Sequence, residues 1–131
     1  MLALIDDSIE FTGAVEFIAR EMNIPLFVSN SSSDALKMLS QMSTLPKVFL
    51  VDFYLGDMTG VQLIQTIRKT YGPKVADAAF VVLTNLPSSA PQLQSLKDAE
   101  LALHTSFESK PSELTEIEKL ISRWSRSHSA R

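Results

Sequence analysis

The sequence predicts an α/β protein with a doubly wound, five-stranded parallel sheet and five helices. Five short apolar segments alternate with five segments of helical periodicity, and the connections are too short to hold other elements. Two of the apolar segments, Val48–Val51 and Ala79–Leu83, are unbroken, which is typical of strands buried on both faces of a parallel sheet. Because right-handed crossovers leave few topologies, we predict the flavodoxin-like strand order 2-1-3-4-5.

The first half of the chain contains three predicted strands, each followed by a helix. Met1–Ile5 is the first strand, and Ser8 after it is a suitable helix N-cap. Leu26–Val28 is the second strand, and Ser33 can cap the helix that follows it. The third strand ends on Asp52. The apolar residues at helical spacing are Phe11, Val15, Ile18 and Met22 in the first helix, Leu36, Leu39 and Met42 in the second, and Val61, Ile64, Ile67 and Tyr71 in the third.

Two further strand–helix units are predicted in the second half. The fourth strand ends at Thr84, and the helix after it has Ser89 and Gln92 at the spacing of a capping box. The fifth strand has the weakest pattern and lies in the later half of 101–107, shortly before Lys110. The last helix begins at about residue 112. The apolar residues of these two helices are Leu93 and Leu96, then Leu114, Ile117, Ile121 and Trp124.

Length and composition limit the class of protein. The chain has 131 residues, enough for one domain, which we place at 1–124, with a frayed tail at 125–131. A hydrophobic content of 45% and a charged content of 21% are ordinary for a globular protein. No apolar run reaches the roughly 20 residues of a membrane-spanning helix. The first residues also lack the basic and cleavage regions of a signal peptide.

Cysteine content and charge narrow the possible partners. The absence of cysteine excludes disulfides, thiolate metal sites and cysteine nucleophiles. A net charge of -3 argues against direct binding to nucleic acid, which usually requires a basic surface. We therefore expect a cytoplasmic protein that binds neither nucleic acid nor membrane. Its partner is expected to be another protein or a small ion, and the chain to be a monomer or weak dimer.

Polar residues follow four of the five predicted strands. They are Asp6 and Asp7 after the first strand, Asp52 at the end of the third, Thr84 after the fourth, and Lys110 after the fifth. Each alone could be an ordinary loop residue. In a parallel sheet, however, all strands end at the same edge, and the order 2-1-3-4-5 makes the first and third strands neighbours. The three carboxylates are therefore expected to cluster, with the hydroxyl and the ammonium beside them.

Such a cluster favours one kind of chemistry. Two carboxylates 4 Å apart repel by about 4 kcal/mol at an effective dielectric constant near 20, so three of them require a cation or protonation. Oxygen ligands with open coordination positions suit Mg²⁺, which prefers to share its coordination sphere with a phosphate. One lysine and one hydroxyl can hold phosphoryl oxygens. Carboxylates also accept phosphoryl groups as nucleophiles, and Asp52, central among the acids, is the candidate acceptor.

These residues resemble the motif set of a response-regulator receiver domain of two-component signal transduction, in the CheY-like superfamily. The resemblance extends along essentially the whole chain, and all its motifs occur in order at strand ends. The matching residues are Asp6, Asp7, Asp52, Gly60, Thr84, Lys110 and Pro111.

The resemblance implies a role for each residue of the site. Asp52 would be the phosphoacceptor, and Asp7, Asp52 and the backbone carbonyl of Tyr54 would bind Mg²⁺, with Asp6 acting through water. Lys110 would pair with the phosphoryl group or with Asp52. Thr84 would bind a phosphoryl oxygen on activation. Phe107 falls where the family places an aromatic switch, although plain core packing explains a phenylalanine there equally well.

The resemblance also implies partners and a limited catalytic role. A histidine kinase or phosphotransfer protein would supply the phosphoryl group, in a bacterial pathway, and a downstream protein would be the target. Enzymatic activity would be limited to Mg²⁺-dependent self-phosphorylation and autodephosphorylation.

The alternative is a receiver-like interaction module that is not phosphorylated. A haloacid-dehalogenase phosphatase is disfavoured because it needs an Asp at the position of Tyr54, and an FMN-binding flavodoxin because Asp6 and Asp7 would repel the phosphate.

The sequence departs from the family pattern near the site. Asn85 replaces a very small residue after Thr84, and Gly56 replaces a common proline. Residues 101–104 replace the usual small-residue turn before the fifth strand, and the spacing between Thr84 and Lys110 is longer than usual. Tyr54 and Leu86 are bulky, so we expect them to crowd the path of a hydrolytic water and to slow the loss of the phosphoryl group.

Overall fold

The computed structural model describes residues 1–87, 89–91 and 105–128, and no side chain beyond residue 126. Five parallel strands form one sheet with the order β2-β1-β3-β4-β5. This confirms the predicted fold class and strand order. The strands are β1 (Leu2–Ile5), β2 (Leu26–Ser29), β3 (Val48–Asp52), β4 (Ala79–Thr84) and β5 (Thr105–Ser109).

Four α-helices and a 3₁₀ helix lie within the described residues. They are α1 (Ile9–Glu21), α2 (Ser32–Ser40), α3 (Gly60–Tyr71), the 3₁₀ helix Gly72–Val75, and α4 (Leu114–His128). The helix predicted around Leu93 and Leu96 lies outside the described residues, as does most of 101–107 before β5.

Side-chain oxygens define the starts of the first three helices. Ser8 caps α1 by accepting a hydrogen bond from the backbone N–H of Phe11, as predicted. The cap of α2 is Ser31 and not the predicted Ser33, because the Ser31 hydroxyl accepts from the backbone N–H of Asp34 and the helix begins two residues earlier. Thr59 and Gln62 form a reciprocal capping box at the start of α3.

The sheet is covered on both faces, and alternate residues of each central strand enter different core layers. One layer contains Ala3, Ile5, Phe49, Val51, Phe80 and Val82, packed against α2 and α3. The other contains Leu2, Leu4, Val48, Leu50, Val81 and Leu83, packed against α1 and α4. Phe49 and Phe80 stack with ring centroids 4.7 Å apart. Burial on both faces explains why these strands are continuous apolar runs.

Part of the predicted frayed tail is helical, since α4 continues to His128. The sequence predicts the tail at 125–131 because these residues are small, polar and basic. Residues 125–128 are polar, but they include no glycine or proline that would end a helix. Trp124 packs at the edge of the core and lines a cleft with Met1 and Pro25, at the amino ends of the strands.

No helix within the described residues is long and apolar enough to cross a lipid bilayer.

Candidate functional site

The three acids predicted to cluster lie together at the carboxyl edge of the sheet. β1 and β3 are hydrogen-bonded neighbours, with Ile5 opposite Val51, so the residues after β1 meet the end of β3. One carboxylate oxygen from each of Asp6, Asp7 and Asp52 lies within 4.8 Å of the other two. Asp6 is buried, Asp52 is partly buried and Asp7 is exposed. The group is therefore open to solvent on the Asp7 side.

Asp6 is fixed by one side-chain hydrogen bond, one ion pair and a hydrogen bond to its backbone carbonyl. Its Oδ1 atom accepts from the backbone N–H of Ser8 at 2.9 Å, and its Oδ2 atom lies 2.8 Å from the Lys110 ammonium. Its backbone carbonyl accepts from the Asn30 amide at 3.0 Å, and the same amide donates to Thr12. The sequence prediction missed Asn30, which follows β2 at this same edge. The strand-end argument used for the acids would have found it.

Lys110 contacts two of the acids and an aromatic ring. Its ammonium is 3.7 Å from Asp52 Oδ1, farther than from Asp6, and 4.6 Å from the centroid of the Phe11 ring. The sequence predicted a pairing with Asp52, and the structure shows that the buried Asp6 is the closer partner. The backbone N–H of Lys110 donates to the carbonyl of Thr84 at 2.8 Å, so the pairing of β5 with β4 fixes where this residue lies.

Burial and the neighbouring acids raise the pKa of Asp52 to about 6. Loss of solvation is the largest cause, the negative charge of Asp6 comes next, and Asp7 adds to it. The Lys110 ammonium and the backbone N–H of Phe53 act in the opposite direction and lower the pKa. Above pH 6 the Asp52 carboxylate is ionised, although it has lost solvation and is repelled by Asp6 and Asp7. A cation beside it, or an ester bond at one of its oxygens, would relieve this repulsion.

We expect Asp52→Asn to stabilise the fold at pH 7.5 by about 1–3 kcal/mol, because the amide carries no charge that burial deprives of solvation or that Asp6 repels. The pKa of Asp52 is raised from 3.8 to about 6 by folding, so the wild type loses stability as pH rises from about 4 to about 6. The gain should therefore shrink as pH falls from 6 towards 4. Urea unfolding of both proteins between pH 4 and 8 measures this difference in the free energy of unfolding. A gain that does not change with pH would contradict this account.

A cleft of about 290 Å³ opens beside Asp52. Its lining residues are Asp7, Asp52, Phe53, Tyr54, Thr84, Asn85, Leu86 and Lys110. Thr84 is buried, and its hydroxyl oxygen accepts a hydrogen bond from the backbone N–H of Leu86 at 3.0 Å. Leu86 is partly buried, whereas Asn85 is exposed. The structure thus places the predicted hydroxyl and both bulky residues around the same opening.

The loop after β3 brings Tyr54 to the mouth of the cleft. The Tyr54 side chain is 56% exposed, and its ring packs on Phe53 with centroids 4.6 Å apart. Gly56 adopts a positive φ of 89°, which glycine tolerates and proline cannot. Gly60 returns the chain to the site, where a Cβ atom would lie 2.3 Å from the carbonyl oxygen of Asp52. Only glycine fits this approach.

Phe107 is not among the described residues that line the cleft. It pairs with Val82 in the sheet and is partly buried against the core layer that contains α2 and α3. Core packing is therefore observed, and the switch role remains a prediction.

The acidic group fits a divalent metal ion of the Mg²⁺ type. It offers three carboxylates within reach of one ion, all with oxygen donors, and Asp7 leaves one side accessible to water. Tyr54 lines the same cleft, and the role of its carbonyl as a further ligand remains a prediction.

Several solved structures of similar fold are response regulators or receiver domains. No protein-family model matches the sequence, and no curated protein sequence matches it either. The structure of the chemotaxis response regulator CheY4 of Vibrio cholerae superposes with a TM-score of 0.74 and 18% sequence identity, covering 93% of this chain and 95% of that one.

Two further structures agree. A CheY-like response regulator receiver domain protein from Methanospirillum hungatei has a TM-score of 0.72 and 13% identity, over 96% of this chain and 93% of that one. The signal receiver domain of an HD domain-containing protein from Pseudomonas fluorescens has a TM-score of 0.72 and 19% identity, over 97% and 86%. The chain therefore has the CheY-like receiver fold.

Proposed function

We propose that this protein is a phosphoacceptor receiver of a two-component or phosphorelay system, which takes a phosphoryl group on Asp52 with Mg²⁺. One observation carries the proposal: Asp6, Asp7, Asp52 and Lys110 form a single charged group beside an open cleft. In a receiver fold, the ligand crevice lies at this same carboxyl edge.

The proposed chemistry is transfer of a phosphoryl group between two oxygens, or from a phosphohistidine nitrogen to an oxygen. An Asp52 carboxylate oxygen forms a bond to phosphorus while the bond from phosphorus to the donor's leaving atom breaks. The leaving atom keeps the bonding electron pair and takes a proton from solvent where it needs one. When bound, Mg²⁺ supplies positive charge that offsets the charge of the acids and the phosphoryl oxygens.

The remaining residues hold the phosphoryl group. Lys110, already 3.7 Å from Asp52, is placed to contact a phosphoryl oxygen through its ammonium. The Thr84 hydroxyl oxygen accepts a hydrogen bond from the backbone N–H of Leu86. Its own O–H group can therefore donate a hydrogen bond to another phosphoryl oxygen. The protein contributes position and charge, and no covalent assistance beyond Asp52.

A histidine kinase or phosphotransfer protein is the proposed donor, and a downstream protein the proposed target, in the cytoplasm of a bacterial cell. Turnover would be limited to self-phosphorylation from small donors and autodephosphorylation. A module that works only through protein contact is the alternative.

Incubation with acetyl phosphate and Mg²⁺ tests the proposal, with intact-mass spectrometry as the measurement. We expect the mass of one phosphoryl group to be gained, and the gain to be lost on chelation of Mg²⁺ and in Asp52→Asn. Mass is preferred to the fluorescence of Trp124 because it reports the added group directly. No gain under any condition, together with no binding of a beryllofluoride mimic, would favour the unphosphorylated interaction module.

We expect the phosphorylated form to be long-lived, because Tyr54 and Leu86 both line the cleft through which water must approach. Tyr54→Asn and Leu86→Ala should each speed the loss of the phosphoryl group several-fold after the donor is removed. Phe17→Ala, an exposed aromatic position on α1, is the control and should have no effect. Rapid decay in the wild type that neither cleft variant changes would contradict the prediction.

A further inference from the structure

We propose that Phe11 of α1 is a positioning residue for Lys110, and that its ring face holds the ammonium between Asp6 and Asp52. The inference rests on the proposed function, since it assigns a part in phosphoryl transfer to a residue outside the acid, hydroxyl and lysine set.

The first support is the geometry of the ammonium. Lys110 Nζ lies 4.6 Å from the Phe11 ring centroid, 2.8 Å from Asp6 and 3.7 Å from Asp52. Its side chain is 13% exposed, so little solvent competes with these contacts. A cation within about 6 Å of a ring centroid is attracted by the negative face of the ring, and more strongly where water is excluded.

The second support is that one short segment fixes both the ring and the nearer acid. Ser8 donates its backbone N–H to Asp6, and its hydroxyl accepts from the backbone N–H of Phe11. Lys110 then contacts the Asp6 carboxylate and the Phe11 ring. The four residues form a closed circuit of contacts, so the N-cap of α1 sets the distance between the acid and the ring that share the ammonium.

An aromatic face suits a cation that must change partners. A carboxylate holds a lysine N–H in a directional hydrogen bond, and that bond must be broken before the same N–H can donate to a phosphoryl oxygen. The ring attracts the charge without using a directional hydrogen bond. Phe11 can therefore keep the ammonium close to Asp52 while Lys110 exchanges Asp6 for a phosphoryl oxygen.

Packing alone does not require a ring at this position. Phe11 is only partly buried, at the margin of the core layer that contains α1 and α4. A leucine there would keep apolar contact with that layer and lose the ring face. This difference separates a positioning role from a structural one.

The geometry can be tested without any phosphorylation. In NMR spectra of the wild type, the ε-methylene protons of Lys110 are expected to be shifted upfield by the ring current of Phe11. The shift should disappear in Phe11→Leu, persist in Phe11→Tyr, and be unchanged in the control Phe17→Leu. A Lys110 signal at its random-coil position in the wild type would overturn the inference, whatever the outcome for the proposed function.

The functional test measures the rate of phosphorylation by acetyl phosphate at saturating Mg²⁺. Phe11→Leu should be roughly 2- to 10-fold slower, as expected for loss of one cation–π contact, with Phe11→Tyr near the wild-type rate. The affinity for Mg²⁺ should be unchanged, because Phe11 offers no ligand. In a Lys110→Met background, Phe11→Leu should have no further effect on the rate.

These results distinguish a positioning role of Phe11 from a structural one. Equal losses from Phe11→Leu with and without Lys110 would show a merely structural role and overturn the inference. A wild type that accepts no phosphoryl group would refute the proposed function, and the NMR comparison would then judge the placement of Lys110 by itself. An upfield shift with normal kinetics in Phe11→Leu would overturn the functional part of the inference.

Discussion

Lys110→Met is expected to lower the free energy of unfolding by about 3–5 kcal/mol, because it leaves a buried carboxylate without its cation. Asp6 is fully buried, and its Oδ2 atom lies 2.8 Å from the Lys110 ammonium. Methionine preserves most of the apolar stem, so the loss measures charge and not packing. Urea unfolding at neutral pH, compared with the wild type, gives the value.

A double variant and a surface control complete this experiment. Asp6→Asn combined with Lys110→Met removes both charges, and it should recover a large part of the lost stability. Lys74→Met, at an exposed position in the 3₁₀ helix, should change stability by less than about 0.5 kcal/mol. A cost below about 1 kcal/mol for Lys110→Met would mean that Asp6 finds another partner or is hydrated.

Gly60→Ala is expected to cost about 2–4 kcal/mol of stability and to displace Asp52. The added Cβ would lie 2.3 Å from the Asp52 carbonyl oxygen and 2.9 Å from a Val51 methyl group, so backbone must move. Because a misplacement of 1 Å can cost up to about 10²-fold in rate, phosphorylation of Asp52 should slow by roughly tenfold or more. Unfolding in urea and the acetyl phosphate reaction measure the two effects.

Gly13→Ala is the matched control for this substitution. Gly13 lies within α1, and a Cβ there would have nothing within 4 Å. Alanine should therefore stabilise the helix by about 0.5–1 kcal/mol and leave phosphorylation unchanged. If Gly60→Ala also stabilised the protein and left phosphorylation unchanged, the inferred close approach of α3 to Asp52 would be contradicted.

The strand order and the cluster of acids could be predicted because both follow from the order of apolar and polar residues in the sequence. Apolar runs such as Val48–Val51 identify buried strands, and a parallel sheet brings their ends to one edge. The gathering of Asp6, Asp7 and Asp52 follows from topology alone. No side-chain geometry had to be known for this part of the site.

What could not be predicted depends on side-chain conformation and on competition between similar residues. Three consecutive serines can all cap a helix, and only backbone geometry selects Ser31. A lysine facing two acids can pair with either, and in the structure the buried Asp6 is the closer partner. The contact between Phe11 and Lys110 joins residues that are distant in sequence, and no spacing rule reveals it.

The main-chain hydrogen bond from Lys110 to Thr84 has a consequence for how variants of this protein should be interpreted. It joins the two residues through backbone atoms, which every substitution except proline at position 110 retains. Truncating either side chain therefore leaves the backbone of the other residue in place. The effects of the Thr84 hydroxyl and of the Lys110 ammonium on the rate of phosphorylation can then be separated from any distortion of β4 and β5.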